Sequence, residues 1–202
     1  MRQLRKDDIS LEVVEIQRIA HQLTSVLYLL HSSAVSIAHG DLYIDIIVLE
    51  ISNVDSLSAI EMFEMFGHPE YGNICTATGD CPSSPSAPRY IVQPADLGKV
   101  FSWRTGNIKV IDFGQSFRLN NLPPALGTPA HYCSPELLVH NMAGKPSDTW
   151  TLACCIFEIR MGEDLFDGLG YDDETLHQRV ELLGPMDDSL MYVKLYGFSG
   201  SR

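Results

Sequence analysis

Between residues 11 and 31 the apolar side chains Ile16, Ile19, Ala20, Leu23, Val26, Leu27 and Leu30 recur every three or four positions. That spacing gathers them into one stripe along a helix. Ser10 is a suitable N-cap, and Asp7 and Asp8 before it complement the positive end of the helix. Residues 46–51 form a continuous, β-branched apolar run, which predicts a buried strand. From 53 to 106 the pattern breaks. Ser56 to Phe66 predicts a short amphipathic helix, and residues 67–89 are rich in Pro, Gly, Ser and Thr, which predicts a long surface loop with extended segments. Residues 108–111 resume a strand. The prolines at 123, 124, 129 and 135 predict a loop. Trp150, Leu152, Ala153, Ile156, Phe157 and Ile159 predict a buried helix over 148–161. No internal repeat is visible, and Tyr196 to Arg202 offer no terminal element.

A chain of 202 residues suffices for one hydrophobic core, and 45% hydrophobic with 20% charged residues is a globular rather than a disordered profile. The net charge of −12, from 14 basic and 26 acidic residues, argues against direct nucleic-acid binding, which needs clustered Lys and Arg. It suits a basic protein or peptide, and equally it serves solubility alone. No secretory signal is visible in residues 1–10, and no apolar run approaches the length of a membrane span. The five cysteines, Cys75, Cys81, Cys133, Cys154 and Cys155, are odd in number. They predict reduced thiols in the cytoplasm or nucleus rather than a disulfide framework. Cys75 and Cys81 lack a second spaced pair and read as free thiols, not a zinc site. Cys154 and Cys155, within the predicted buried helix, read as inert.

Chemistry concentrates in four short segments. They are His39-Gly40-Asp41-Leu42, Asp112-Phe113-Gly114, Gly127-Thr128-Pro129 followed by Ser134-Pro135-Glu136, and Lys145-Pro146-Ser147-Asp148 opening the second long helix. Asp41 and Asp112 are carboxylates on turns next to predicted strands, positions that can face a cleft. Phosphoryl transfer needs such groups, one to orient the attacking hydroxyl and another to hold Mg²⁺ against phosphates. Each segment alone is weak, and their joint order is specific. His31, His68 and His140 have no spaced partners and read as ordinary surface or core histidines. Met62 and Met65 read as packing, and Tyr132 and Ser134 have nothing to single them out as phosphorylation sites.

The order of these segments resembles the C-lobe of the eukaryotic protein kinase superfamily, in which a His-Arg-Asp catalytic loop is followed by Asp-Phe-Gly and Ala-Pro-Glu. Within it, the long insert, Pro88-Arg89-Tyr90-Ile91-Val92-Gln93-Pro94-Ala95 and residues 127–136 are most similar to the SR-protein-specific serine/threonine kinases and their fungal relatives. The resemblance implies an α+β fold, a mainly helical C-lobe with short strands at the cleft. Residues 1–202 would form a partial kinase domain, interrupted by an insert at 53–106 and without an N-lobe. It implies ATP and Mg²⁺ as cofactors and basic, Arg/Ser-rich proteins as substrates. Asp41 then matches the catalytic base. Asp112 matches the Mg²⁺ ligand, with Phe113 and Gly114 completing the nucleotide-side motif. His39 and Phe113 match residues stacked behind the site. Asp148 matches a buried Asp that holds the catalytic-loop backbone. Gly127 and Thr128 lie in the loop that docks a substrate peptide, and Glu136 matches the acid that pairs with an Arg expected beyond the C-terminus.

The departures from that pattern are specific. Gly40 stands where the family has Arg, Tyr43 where it has Lys, and Ile46 where it has the Asn that binds a second Mg²⁺. Ile has no donor or acceptor to offer a metal, and Asp45, one residue earlier, is the nearest substitute. No glycine-rich loop or Val-Ala-x-Lys strand precedes the first helix, so the expectation is a chain truncated at both ends and inactive alone. Two alternatives stay open: a pseudokinase-like interaction module, and a small-molecule phosphotransferase of the aminoglycoside or choline kinase type, which also carries His-Gly-Asp-Leu.

Overall fold

A computed structural model describes residues 11–83, 86–124, 126–140, 142–166 and 172–185. The chain divides into two compact units, residues 1–50 with 106–202, and residues 51–105.

The first unit is built on two long helices, α1 (Val13–Leu30) and α4 (Lys145–Met161). Helix α1 buries Ile16, Ile19, Leu23 and Leu27, the stripe its sequence predicts. Its start differs from the expectation. Glu12 is the N-cap and forms a reciprocal capping box with Glu15, which fixes the first turn through two otherwise unsatisfied amides. Ser10, Asp7 and Asp8 lie outside the described residues. Short strands follow: β1 (Ile37–Ala38) pairs antiparallel with β6 (Phe117–Arg118), and β2 (Ile47–Ile51) pairs with β5 (Arg104–Val110). The predicted strand over 46–51 therefore starts one residue later, because Ile44–Ile46 close a 3₁₀ turn first. Residues 108–110 are the end of a longer strand, which stops one residue before the predicted 111. Two helices lie where no periodicity announced them, α3 (Pro135–His140) and α5 (Asp172–Leu183). Helix α3 is too short to show a stripe. Its signal is Ser134, whose Oγ accepts the Leu137 amide.

Helix α4 starts at Lys145, three residues before the predicted 148, with Pro146 in its first turn, where a missing N–H costs nothing. Its buried residues are Ser147, Asp148, Thr151, Leu152, Cys154, Cys155 and Glu158, whereas Ala153 is exposed. Leu152 is in the core and Trp150, Ile156 and Ile159 pack against it, as the sequence predicts, and the helix also buries polar groups that are bonded. Thr151 Oγ1 donates to the Asp148 carbonyl, and the Tyr132 hydroxyl donates to Glu158. The core joins α1 and α4 through Ile19, Leu23, Leu27, Leu152 and Cys155, and adds Leu42, Ile46, Ile47, Tyr132 and Phe166. None of the described helices is long and apolar enough to cross a membrane.

Residues 51–105, expected to be mostly loop, make a unit of their own. Helix α2 (Ala59–Phe66) is opened by a second capping box, Ser58 with Glu61, visible in the sequence as Ser-x-x-Glu. Strands β3 (Tyr71–Asn73) and β4 (Tyr90–Val92) form an antiparallel ribbon with Gly72 opposite Ile91. Residues Leu97–Trp103 wind as 3₁₀ turns around the buried Val100, and the Arg104 guanidinium lies 4.0 Å from the centre of the Phe101 ring. Met62, Phe63, Phe66, Val92, Pro94 and Leu97 line a cavity of about 480 Å³ in this unit. Met62 thus faces that cavity, and His68 stacks on Phe63 at 4.8 Å.

Leu23 is fully buried at the junction of α1 with the core. Leu23→Ala is expected to cost about 2–5 kcal/mol, read as a lower urea midpoint with unchanged slope.

Candidate functional site

The site is organised by Asp148, in the first turn of α4 and almost wholly buried. One carboxylate oxygen, Oδ1, accepts the Gly40 amide at 2.9 Å. The other accepts the His39 amide at 2.8 Å and the His31 Nε2–H at 2.8 Å. His31 is the C-cap of α1. It is therefore not the partnerless histidine the sequence suggests; its partner is 117 positions away, where spacing cannot reveal it. A buried carboxylate needs this many donors to offset its lost hydration.

Asp148 fixes the backbone at 39 and 40, and His39 carries the order outward. Its Nε2 lies 3.1 Å from the Ile111 carbonyl, an acceptor, so Nε2 bears the proton. Nδ1 is then free to accept the Asp41 amide at 3.3 Å. The ring also packs on Phe113 with centroids 4.7 Å apart. Phe113 itself remains 43% exposed, so only His39 of this pair is a core residue. Gly40 sits at φ +80°, and a Cβ there would approach the Gln115 carbonyl to 2.8 Å. A side chain at position 40 would require that carbonyl to move.

Asp41 faces a small cleft of about 320 Å³ that it lines with Tyr43, Asp45, Gly127, Pro129, His131 and Tyr132. Its Oδ2 accepts Gln115 Nε2–H at 3.3 Å, whereas Oδ1 is buried with no hydrogen-bond partner. Burial raises the Asp41 carboxyl above the ordinary carboxylate range; His39 opposes this, the like charge of Asp112 adds to it, and the Gln115 hydrogen bond opposes it. Gln115 was not singled out from the sequence, yet its Oε1 also accepts the Gly127 amide at 3.0 Å. One amide side chain thus ties the base-like carboxylate to the 127–136 segment. Nothing local marks it beyond its place directly after Asp112-Phe113-Gly114.

Asp112 is exposed in the left-handed region at φ 63°, and its Oδ1 accepts the Gly114 amide at 3.4 Å across the turn Phe113–Gln115. The Thr128 hydroxyl is buried and donates to the Gly40 carbonyl at 2.9 Å, so it faces the 39–41 backbone rather than the cleft. Tyr132 and Ser134 are both buried. The Tyr132 phenol is raised far above its usual range, first by burial and then by Glu158, and Ser134 caps α3. Glu136 lies in the first turn of α3. The Arg that reaches this segment is Arg179 of α5, whose Nη2 donates to the Ala130 carbonyl at 2.9 Å while its guanidinium lies over Trp150 and Phe166.

Asp112 and Asp41 are oxygen donors of the kind a hard cation such as Mg²⁺ takes. A second metal fits less well. Ile46 is only 3% exposed and packs in the core, and no group of three or more His, Cys, Asp or Glu among the described residues is arranged to hold a metal. Asp45 is exposed in the turn beside it and lines the cleft.

Asp41 and Asp112 thus lie on a loop anchored at Asp148 and on the turn Phe113–Gln115, joined through Gln115 to the 127–136 segment. The protein kinase domain family model matches residues 100–190. The chain is 36% identical over 93 residues to the dual specificity protein kinase KNS1 of Saccharomyces cerevisiae, covering 46% of this chain and 11% of that protein. It is 37% identical over 84 residues to the DYRK-family kinase pom1 of Schizosaccharomyces pombe, covering 42% and 8%. It is 31% identical over 88 residues to the serine/threonine-protein kinase AFC3 of Arabidopsis thaliana, covering 43% and 22%. The matched stretch is thus less than a quarter of each of these relatives. These matches support the eukaryotic protein kinase superfamily for this chain.

For Asp41 the sign of the pH effect follows from its raised value. Between the unfolded and folded carboxyl values the folded chain retains a proton that the unfolded chain has released, so stability falls as pH rises through that interval. Asp41→Asn is expected to gain stability relative to the parent chain as pH goes from below that interval to neutral. Carboxyl NMR should place the Asp41 midpoint above that of an ordinary Asp, and Gln115→Ala should move it further up.

Proposed function

We propose that this chain carries a serine/threonine protein kinase site of reduced catalytic competence, one that engages Ser residues in basic, Arg/Ser-rich protein segments. The observation that carries this reading is the pairing of a well-placed Asp41 with an Ile46 turned into the core. Asp41 keeps a buried, unpartnered Oδ1 beside the cleft, fit to accept the proton of an incoming hydroxyl. Its raised carboxyl value brings it nearer the range in which such a base works. Gln115 orients the same carboxylate from its other oxygen.

Asp112 would hold Mg²⁺, and bound Mg²⁺–ATP would supply the phosphoryl group and neutralise its charge. Tyr43 offers no cation at the Lys position, and Ile46 offers no ligand at the Asn position. Loss of one charge-stabilising group typically costs about 10²–10³ in rate, and two such losses leave transfer by this chain alone negligible. The acidic side chains at the cleft, Asp41 and Asp45, together with a net charge of −12, suit a basic segment. The subfamily resemblance to the SR-protein kinases points to the same substrate class.

The test uses the full chain with an Arg/Ser-repeat peptide. Fluorescence anisotropy should show salt-sensitive binding that weakens in Asp45→Asn, while radiolabelled ATP with Mg²⁺ should give incorporation no higher than in Asp41→Ala. Sustained transfer that Asp41→Ala abolishes would overturn the reduced competence. Equal affinity for an uncharged Ser peptide would overturn the substrate class.

A further inference from the structure

We propose that Cys75 and Cys81 form a redox-active dithiol that closes to an intrachain disulfide on reaction with a low-molecular-weight disulfide. The placement comes from the backbone hydrogen bonds between them. Thr76 N–H donates to the Asp80 carbonyl at 2.8 Å, and Gly79 N–H donates to the Thr76 carbonyl at 2.9 Å. Gly79 sits at φ +88°. This is a three-residue hairpin loop, a turn followed by a left-handed glycine, with Thr76 and Asp80 as its closing hydrogen-bonded pair. The residues one step further out are Cys75 and Cys81.

In an antiparallel ribbon the position next to a hydrogen-bonded pair is a non-hydrogen-bonded one, with Cα atoms about 4.5 Å apart and side chains on the same face. A disulfide spans Cα separations of about 4.4–6.8 Å, so this register suits one. Side chains brace the loop further. The Asp80 amide donates to Thr76 Oγ1 at 3.1 Å, and Thr78 Oγ1 donates to Asp80 Oδ2 at 2.8 Å. The Ile74 amide donates to the Arg89 carbonyl at 3.1 Å, so the β3–β4 pairing ends beside the loop that carries Cys75 and Cys81.

Both thiols are exposed, whereas Cys133, Cys154 and Cys155 are buried. Burial pushes the Cys154 thiol up to about 12 and the Cys155 thiol well above its usual value, so neither supplies thiolate near neutrality. The reaction is selective for that reason. One thiolate attacks a sulfur of the reagent disulfide and releases one reagent thiol. The second thiolate then attacks the protein sulfur of that mixed disulfide and releases the other. Two cysteine thiols are oxidised, and the reagent disulfide is reduced to two thiols. The crosslink would fix the loop that leaves β3 before the proline-rich stretch at 82–88, a labile exposed bond of the regulatory kind.

The test treats the full-length chain with oxidised glutathione and maps thiols by mass spectrometry. The expected product lacks two hydrogens and carries a 75–81 crosslink, while Cys75→Ser stops at a Cys81–glutathione mixed disulfide. Closure is expected to be faster in the native chain than in urea. Stable glutathione adducts at both cysteines of the parent chain, a crosslink between two chains, or equal rates in urea would each overturn the proposal.

Discussion

The carboxylate of Asp148 is the constraint on which the rest of the site depends. It binds the amides of His39 and Gly40 and the ring of His31, and so joins the start of α4, the end of α1 and the 39–46 loop at one buried point. Burying a charge is costly unless it is fully bonded, so this arrangement tolerates no partial version. The loop's position is consequently set by backbone amides, which every residue has, rather than by its side chains.

The anchor acts on the backbone amides at 39 and 40. Gly40, Tyr43 and Ile46 depart from the family pattern, yet none of them supplies a hydrogen bond to Asp148 through its side chain. Ile46 instead strengthens the core it points into, alongside Leu42 and Ile47. From the Asp148 anchor the order passes through the His39 ring to the Asp41 amide and the Ile111 carbonyl, and through Gln115 and Thr128 to the 127–136 segment. The frame and the chemistry are therefore under different constraints.

The sequence shows local things well. The α1 stripe and the Ser58–Glu61 capping box are set by neighbours within a turn or two of chain, and each of the four short motifs is read from consecutive residues. It misleads where burial is decided by distant partners. Helix α4 buries Asp148 and Glu158 because His31, the loop backbone and Tyr132 reach them, and no periodicity encodes that. The partner of His31 and the contacts of Gln115 are hidden for the same reason. Residues 51–105 look like loop because their elements are short and exposed, held by caps and a three-residue ribbon rather than by an apolar stripe. The assignment of Asp41 and Asp112 rested on motif order, and the structure adds Asp41's unpartnered oxygen and its tie through Gln115 to Gly127.

Native-state hydrogen exchange at the His39 and Gly40 amides tests the central role of Asp148 most directly. The account predicts that both amides exchange only through openings close in free energy to global unfolding, and that Asp148→Asn lowers their protection much more than that of the α1 core amides. Exchange of these two amides at the rate of an exposed loop in the parent chain would contradict it.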